Sequence, residues 1–543
     1  MIPVDKYPTE VQLPVIFNSS QSIYSDVIGG LPIEEQATWI MPALSGFSAR
    51  VAVESGGRVN SSEAENYRSY LRHLIKSSGI YVLSSLASPL VSLVLAPFLT
   101  RHLSHADYGA LTVLNTTIAL VAGITQLGLS SAFFRSYNYD YESRTDRYAV
   151  LSTVVILLLL LSLPTALFCL GMASWLSFLL FNSPVLSDSL KLTGLIILLQ
   201  NLTVPGFAWL RAESRALQFS LLSIINLLIS LAANIVLVGN LHGGIVGSLT
   251  ATALGYASVV LCTLPVIVLQ AGLRLRFDVA KGLLSFGLPN VSNFISAWVL
   301  QLSDRLLLGR LGSLSQTASY AVAYSLGGIA AVVVLSPFAL AWPSAMYKIA
   351  RKKNAPQIFR LIFRWYGIVL LIATYGLSLV STFTLYIFFP PAYYTASPII
   401  PVIALSTMFY GIYNMFTTGI ALKRKTWFAA LFTTIAALVN IGFNLILIPL
   451  YGSMGAALST LFAYALLACI AYVVNRRIYP VPYEMGFFIF ILGVGVTLYI
   501  ASDFFVRGMG EYLTWSIMMG MWLGYAASLV IAGKWLPGYQ KRS

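Results

Sequence analysis

Residues 213–257 read ESRALQFSLLSIINLLISLAANIVLVGNLHGGIVGSLTATALGYA. A basic approach leads into two apolar runs, 217–238 and 244–268, separated by a short glycine turn. Each run meets the roughly 20 mainly apolar residues that a helix needs to cross a hydrocarbon core. The stretch therefore reads as a hairpin of two membrane-spanning helices, with Asn234 near its outer end. It recurs at 423–465 as KRKTWFAALFTTIAALVNIGFNLILIPLYGSMGAALSTLFAYA, where Asn444 matches Asn234, Gly455 matches Gly247 and Tyr464 matches Tyr256. The offset is 210 residues before the turn and 208 after it.

The same length test, carried outward, marks spans at 78–100, 109–131, 148–170, 189–210, 217–238, 244–268 and 281–303. It marks seven more at 317–341, 360–388, 396–421, 427–449, 453–474, 484–503 and 512–533, fourteen in all. The run at 173–181 is too short to cross and is expected at the outer interface. Composition agrees: 58% of the 543 residues are hydrophobic and 10% charged, against roughly 25% charged in soluble domains. With a mean hydropathy of +0.80, lipid is the natural solvent. The fold class is all-α, polytopic in the membrane.

The net charge of +14 is spread singly or in short groups between apolar runs, which marks a membrane face and excludes a nucleic-acid partner. With the N-terminus in the cytoplasm, 25 Lys and Arg residues fall in or beside inside loops, and only Arg101, Lys191, Arg305, Arg310 and Arg507 fall outside. Every inside loop is more basic than its outside neighbours. The predicted topology has both termini cytoplasmic, in a bacterial or archaeal inner membrane.

Four regions are expected. Residues 1–75 hold no run of spanning length and no signal-peptide pattern, and read as a disordered cytoplasmic extension. Residues 76–270 carry spans 1–6, residues 271–478 spans 7–12, and residues 479–543 an accessory pair with a short tail. Gly287 in the seventh span matches Gly79 in the first. Both halves begin inside, so the repeat is parallel. Such pairs enclose a central cavity and give alternating access by rocking.

Polar side chains within spans are costly unless they face protein or water, so their helical phase is informative. Asn290, Asn293, Gln301 and Asp304 lie within about 80° on one face of the seventh span. Asn226 and Asn234 share a face of the fifth, Asn440 and Asn444 of the eleventh, and Asn115 and Gln126 of the second. Two roles fit these residues: a polar cavity for sugar hydroxyls, or hydrogen-bonded glue between helices. Asp304 and Arg305, at the outer end of the seventh span, read as a local ion pair or a gate. Arg135, Arg211 and Arg364 lie near cytoplasmic ends, where guanidinium forks suit phosphate oxygens or simply snorkel to headgroups. Prolines inside spans, among them Pro164, Pro205, Pro265 and Pro289, permit bends.

Catalytic and metal chemistry find no candidates. His102, His105 and Asp107 lack a third well-spaced ligand, and Cys169, Cys262 and Cys469 sit singly in apolar runs. There is no Walker loop and no nucleophile–base pair, so neither an enzyme nor a cofactor is expected.

Three stretches carry a family resemblance. LVLAPFLTRHLSHADYGALTVL (93–114), FGLPNVSNFISAWVLQLSDRLLLGRLGS (286–313) and SYAVAYSLG (319–327) resemble the first-to-second junction, the seventh helix and the start of the eighth helix of Wzx-type polysaccharide flippases. These belong to the multidrug/oligosaccharidyl-lipid/polysaccharide exporter superfamily. The resemblance spans about residues 76–535. It implies a flippase that moves an oligosaccharide on undecaprenyl pyrophosphate to the outer leaflet, for exopolysaccharide or O-antigen, beside a glycan polymerase and glycosyltransferases. The chain departs from the family in a mid-membrane cavity read as nearly uncharged, and in its long extension.

Three other readings compete. An ion-coupled drug or metabolite exporter of the same superfamily needs a titratable carboxylate inside the bundle, and the core spans show almost none. A membrane glycan polymerase or ligase needs catalytic groups in a large outer loop, and the loop at 171–188 carries only Asp188 among charged residues. A non-transporting scaffold of a glycan assembly complex has no evident need for the repeat.

Overall fold

The structure, a computed structural model, describes residue 91, residues 94–505, residue 509 and residues 511–535. The expectations for residues 1–75, and for the first span up to residue 90, lie outside the described residues. Among the described residues every regular element is helical.

Serine caps set several helix starts. Ser104, Ser143 and Ser313 accept hydrogen bonds from the backbone N–H groups of Asp107, Asp146 and Gln316, each satisfying a donor that the first turn leaves unpaired. These caps open α1 (His105–Thr125), α3 (Arg144–Gly171) and α9 (Leu314–Gly327), with α2 (Leu129–Arg135) between the first two. The first group is completed by α4 (Ala173–Phe181), α5 (Ser187–Ala212), α6 (Ala216–Asn234) and α7 (Gly244–Ala271). A second group holds α8 (Phe277–Leu311), α9, α10 (Ser336–Ala350), α11 (Ala355–Phe388), α12 (Ile399–Phe416), α13 (Thr418–Leu422) and α14 (Trp427–Ile478). The pair α15 (Met485–Phe505) and α16 (Glu511–Trp535) packs on α11.

Twelve of the described helices are long and apolar enough to cross a membrane. One of them, α14, is two crossings. Its backbone leaves the helical region at Gly452 (φ 56°), and the rings of Phe443 and Phe462 stand 5.4 Å apart. In a straight helix, residues 19 apart would be separated by about 28 Å. The chain is a multi-pass membrane protein.

Both quoted hairpins close in the same way. A Cβ at Gly247 would lie 3.1 Å from the Leu237 carbonyl oxygen, and one at Gly455 2.1 Å from that of Leu447. Leu237 and Leu447 are 210 residues apart, and Gly247 and Gly455 are 208 apart.

Two expectations change. The second span is broken between α1 and α2, where Leu127 (φ 48°) and Gly128 (φ 66°) are left-handed. The seventh span continues to Leu311, eight residues past its predicted edge, so Asp304 and Arg305 lie within the helix. Their charges suggested an edge, but facing helices satisfy Asp304 in place.

The two groups meet along a seam where α1 packs on α8 and α9, and α2, α3 and α4 also touch α8. Glycines let backbones touch there. A Cβ at Gly109 would lie 1.8 Å from the Leu314 carbonyl oxygen, and at Gly287 2.3 Å from that of Leu127. Between these ends Gly123 receives the Phe294 ring, and Gly309 faces Val113. Backbones thus touch near both ends of the seam among the described residues.

Candidate functional site

The most concentrated buried polar chemistry is in the second group, and α8 supplies its centre. Asp304 is 0% exposed. It accepts hydrogen bonds from Asn444 Nδ2 (2.6 Å), Tyr320 Oη (2.7 Å) and Thr460 Oγ1 (2.5 Å). Asn440, four residues before Asn444 on the same face of α14, accepts from Asn444 Nδ2 (3.0 Å) and from Ser303 Oγ (3.4 Å). The fold at Gly452 explains the convergence, because Asn440 and Asn444 come from the first limb of α14 and Thr460 from the second.

Asp304 has no cation within 4 Å among the described residues. Arg305 does not pair with it; its guanidinium lies over the Tyr324 ring at 4.7 Å. The predicted Asp304–Arg305 ion pair is therefore corrected. Adjacent residues on a helix point about 100° apart, and here they face different neighbours. Asn444 Oδ1 and Asn440 Nδ2 are buried without a partner. One carboxylate, amide oxygens and hydroxyls form a hard-oxygen set, suited to a proton or a small hard cation. No cluster of three or more His, Cys, Asp or Glu residues occurs among the described residues.

The other predicted residues separate into distinct settings. Asn440, Asn444 and Asn234 are at most 1% exposed in this conformation. Asn234 Nδ2 bonds its own helix at the Ser230 carbonyl oxygen. Asn440 and Asn444 bond to each other and to the α8 residues Ser303 and Asp304. Gln126 Nε2 donates to Asn201 Oδ1, and Asn201 Nδ2 reaches Thr125 and Ser162. Asn226 lies half-buried against Gly255.

On the seam, Asn290 Nδ2 donates to Ser131 Oγ at 3.2 Å, joining α8 to α2. Asn293 and Gln301 are half-buried, and Asn115 on α1 is exposed.

The arginines differ as well. Arg135 is exposed, 3.6 Å from Asp140 and stacked over Phe286. Arg211 is buried between the rings of Phe134 and Phe219. Arg364, 4% exposed, pairs with Glu484, which also takes Arg360 Nε at 2.6 Å. Burial acts to raise the Glu484 pKa, but the hydrogen bonds and charges of Arg364 and Arg360 outweigh it and hold the carboxyl below its usual value. With its fork occupied by a carboxylate, Arg364 is a structural clamp in this conformation.

Asn201, Tyr320, Thr460, Ser303 and Glu484 escape sequence reasoning. Tyrosines and threonines are common in spans, and nothing local marks Tyr320 or Thr460 as partners of an acid 16 or 156 residues away.

Comparisons with known proteins follow from this geometry. The profile of a family described as polysaccharide biosynthesis protein matches residues 98–389. No curated protein matches the chain. Among solved structures, the lipid II flippase MurJ in an inward closed conformation is similar at 16% identity, with a TM-score of 0.64 over 83% of this chain and 99% of that one. An inward-facing multidrug resistance MATE family transporter of the MOP superfamily is similar at 16% identity, with a TM-score of 0.55 over 72% and 93%. These likenesses establish a shared fold.

Proposed function

Because this chain belongs to the polysaccharide biosynthesis protein family, we propose that it is a flippase, carrying a lipid-linked oligosaccharide from the cytoplasmic to the outer leaflet by alternating access. The observation that carries the reading is the family match, which runs from the start of α1 through α11 and so includes the whole seam. The MurJ likeness supports the same reading through the fold.

The physics is consistent. An oligosaccharide cannot cross hydrocarbon unaided, because each hydroxyl stripped of water costs on the order of 2–7 kcal/mol unless it is hydrogen-bonded. Two packed groups that meet along one seam can open one end at a time. Asn290, Asn293 and Gln301 on α8 and Asn115 on α1 would then meet the sugar. The basic-loop end is the cytoplasmic one in this reading, with both termini on that side of an inner membrane.

We further propose that Asp304 couples transport to an ion. A carboxylate buried in the bundle without a cationic partner is expensive unless a proton or cation neutralises it. This carboxylate also favours the second reading, an ion-coupled exporter of drugs or metabolites, whose required acid the chain now has. Cargo distinguishes the two.

The test is leaflet exposure of a fluorescent lipid-linked oligosaccharide in vesicles holding the purified protein. A rate above that of empty vesicles is expected, and equality would sink the flippase reading. Asn293→Leu with Gln301→Leu should cut that rate at least tenfold while the protein remains inserted and monodisperse. An unchanged rate would make the stripe helix glue only.

A further inference from the structure

A pocket of about 220 Å³ opens where the start of α3 and the α2–α3 connection meet the α5–α6 turn. Its lining includes Tyr137, Arg144, Arg147, Trp209, Glu213 and Arg215. It belongs to the first group, remote in sequence from Asp304 and its partners.

Three guanidinium groups share this space, and none lies within 4 Å of a carboxylate among the described residues. Each instead rests on a ring: Arg144 over Tyr148 at 5.4 Å, Arg147 over Tyr137 at 5.7 Å and Arg215 over Trp209 at 5.0 Å. A ring holds a guanidinium by its face and leaves N–H edges for a second partner. Among the described residues Arg144 donates only to the Tyr148 hydroxyl, and Arg147 only to the Tyr141 carbonyl oxygen.

Two acids also line the pocket, the exposed Glu142 and Glu213. Glu213 accepts from the buried Tyr137 hydroxyl at 2.5 Å. Burial first, and this carboxylate second, push the Tyr137 hydroxyl pKa up, so it stays a donor. Trp209, 3% exposed, lies beside the same Tyr137 hydroxyl. The pocket thus holds three arginines against two glutamates, and neither glutamate lies within 4 Å of a guanidinium among the described residues.

We infer that this pocket is a binding site for a phosphate-class oxyanion, a phosphate or diphosphate group. Planar guanidinium forks pair two N–H bonds with two oxygens of such a group, and a ring-backed cluster whose guanidinium groups have no carboxylate within 4 Å among the described residues favours an oxyanion over a neutral ligand. The group can be a free anion or the head of a lipid. The inference does not depend on which cargo the protein moves.

The test uses the full chain in phosphatidylcholine nanodiscs, with radiolabelled inorganic pyrophosphate followed by equilibrium dialysis. Wild type is expected to bind. Arg147→Gln with Arg215→Gln should weaken binding at least tenfold, while Lys at both positions, which keeps charge but loses the fork, should fall between. Glu142→Gln at the pocket wall removes a negative charge and should tighten binding, a gain that misfolding cannot produce. Nanodiscs doped with a polyprenyl diphosphate should displace the label if the natural source is a lipid head, and leave it bound if the source is a free anion. Absence of wild-type binding, or equal affinity in the double Gln variant at unchanged thermal stability, overturns the inference.

Discussion

Asp304 sits with three donors and no cation, a setting in which its hydrogen bonds and its charge can be separated by substitution. Asp304→Asn keeps an acceptor of the same shape and removes the charge. The variant is expected to fold with a melting temperature within a few degrees of wild type and to lose the dependence of transport on a proton or sodium gradient. Gradient-dependent transport that persists in it would remove Asp304 from coupling. Asp304→Leu instead removes the acceptor shared by Tyr320, Thr460 and Asn444, leaving the last two with their bonds to Ala456 and Asn440, at about 1–3 kcal/mol for each donor left unsatisfied. Lower thermal stability than Asp304→Asn is the expected result.

Among the elements, the α15–α16 pair packs on α11 through an apolar face and one ion-pair cluster. Glu484 joins Arg360 and the buried Arg364, and Trp522 Nε1 adds a bond to the Ile372 carbonyl oxygen. Glu484→Gln strands a buried guanidinium, which typically costs about 3–5 kcal/mol. Faster hydrogen exchange in α15 and α16 than in α12 is expected. The sign of the pH dependence follows from the depressed pKa. The clamp is at full strength above the ordinary Glu value of roughly 4.3 and weakens as pH falls below it through the lowered one. Thermal melts between neutral and acidic pH should show a loss in wild type that is smaller in Glu484→Gln. The break in the second span makes a second element-scale prediction. At Gly287 a methyl group would meet the backbone oxygen of Leu127, which cannot rotate away. Overpacking of this kind costs typically 1–3 kcal/mol. Gly287→Ala should shift the population toward forms open at that end, read as faster labelling of nearby cysteines by an impermeant thiol reagent.

For the whole molecule, transport by alternating access requires the seam to part. Val113 and Gly309 face each other across it, with a Cβ at 309 only 2.8 Å from a Val113 methyl. Cysteines at both positions, in a background without Cys169, Cys262 and Cys469, should form a disulfide. Oxidation should abolish transport and reduction restore it; transport that continues while cross-linked would rule out opening at that point. What legibility there was in the sequence divides along physical lines. Span length, apolar composition and the near-identical spacing of the two hairpins are local properties, set by bilayer thickness and by the glycine that a tight reversal needs. They determined an all-α membrane protein and the hairpins at 217–268 and 427–474 before any coordinates. The partners of Asp304, the clamp on Arg364 and the ring-backed arginines were decided only by tertiary structure. A helix's own periodicity tells which residues share a face, but not which face of which distant helix that stripe will meet.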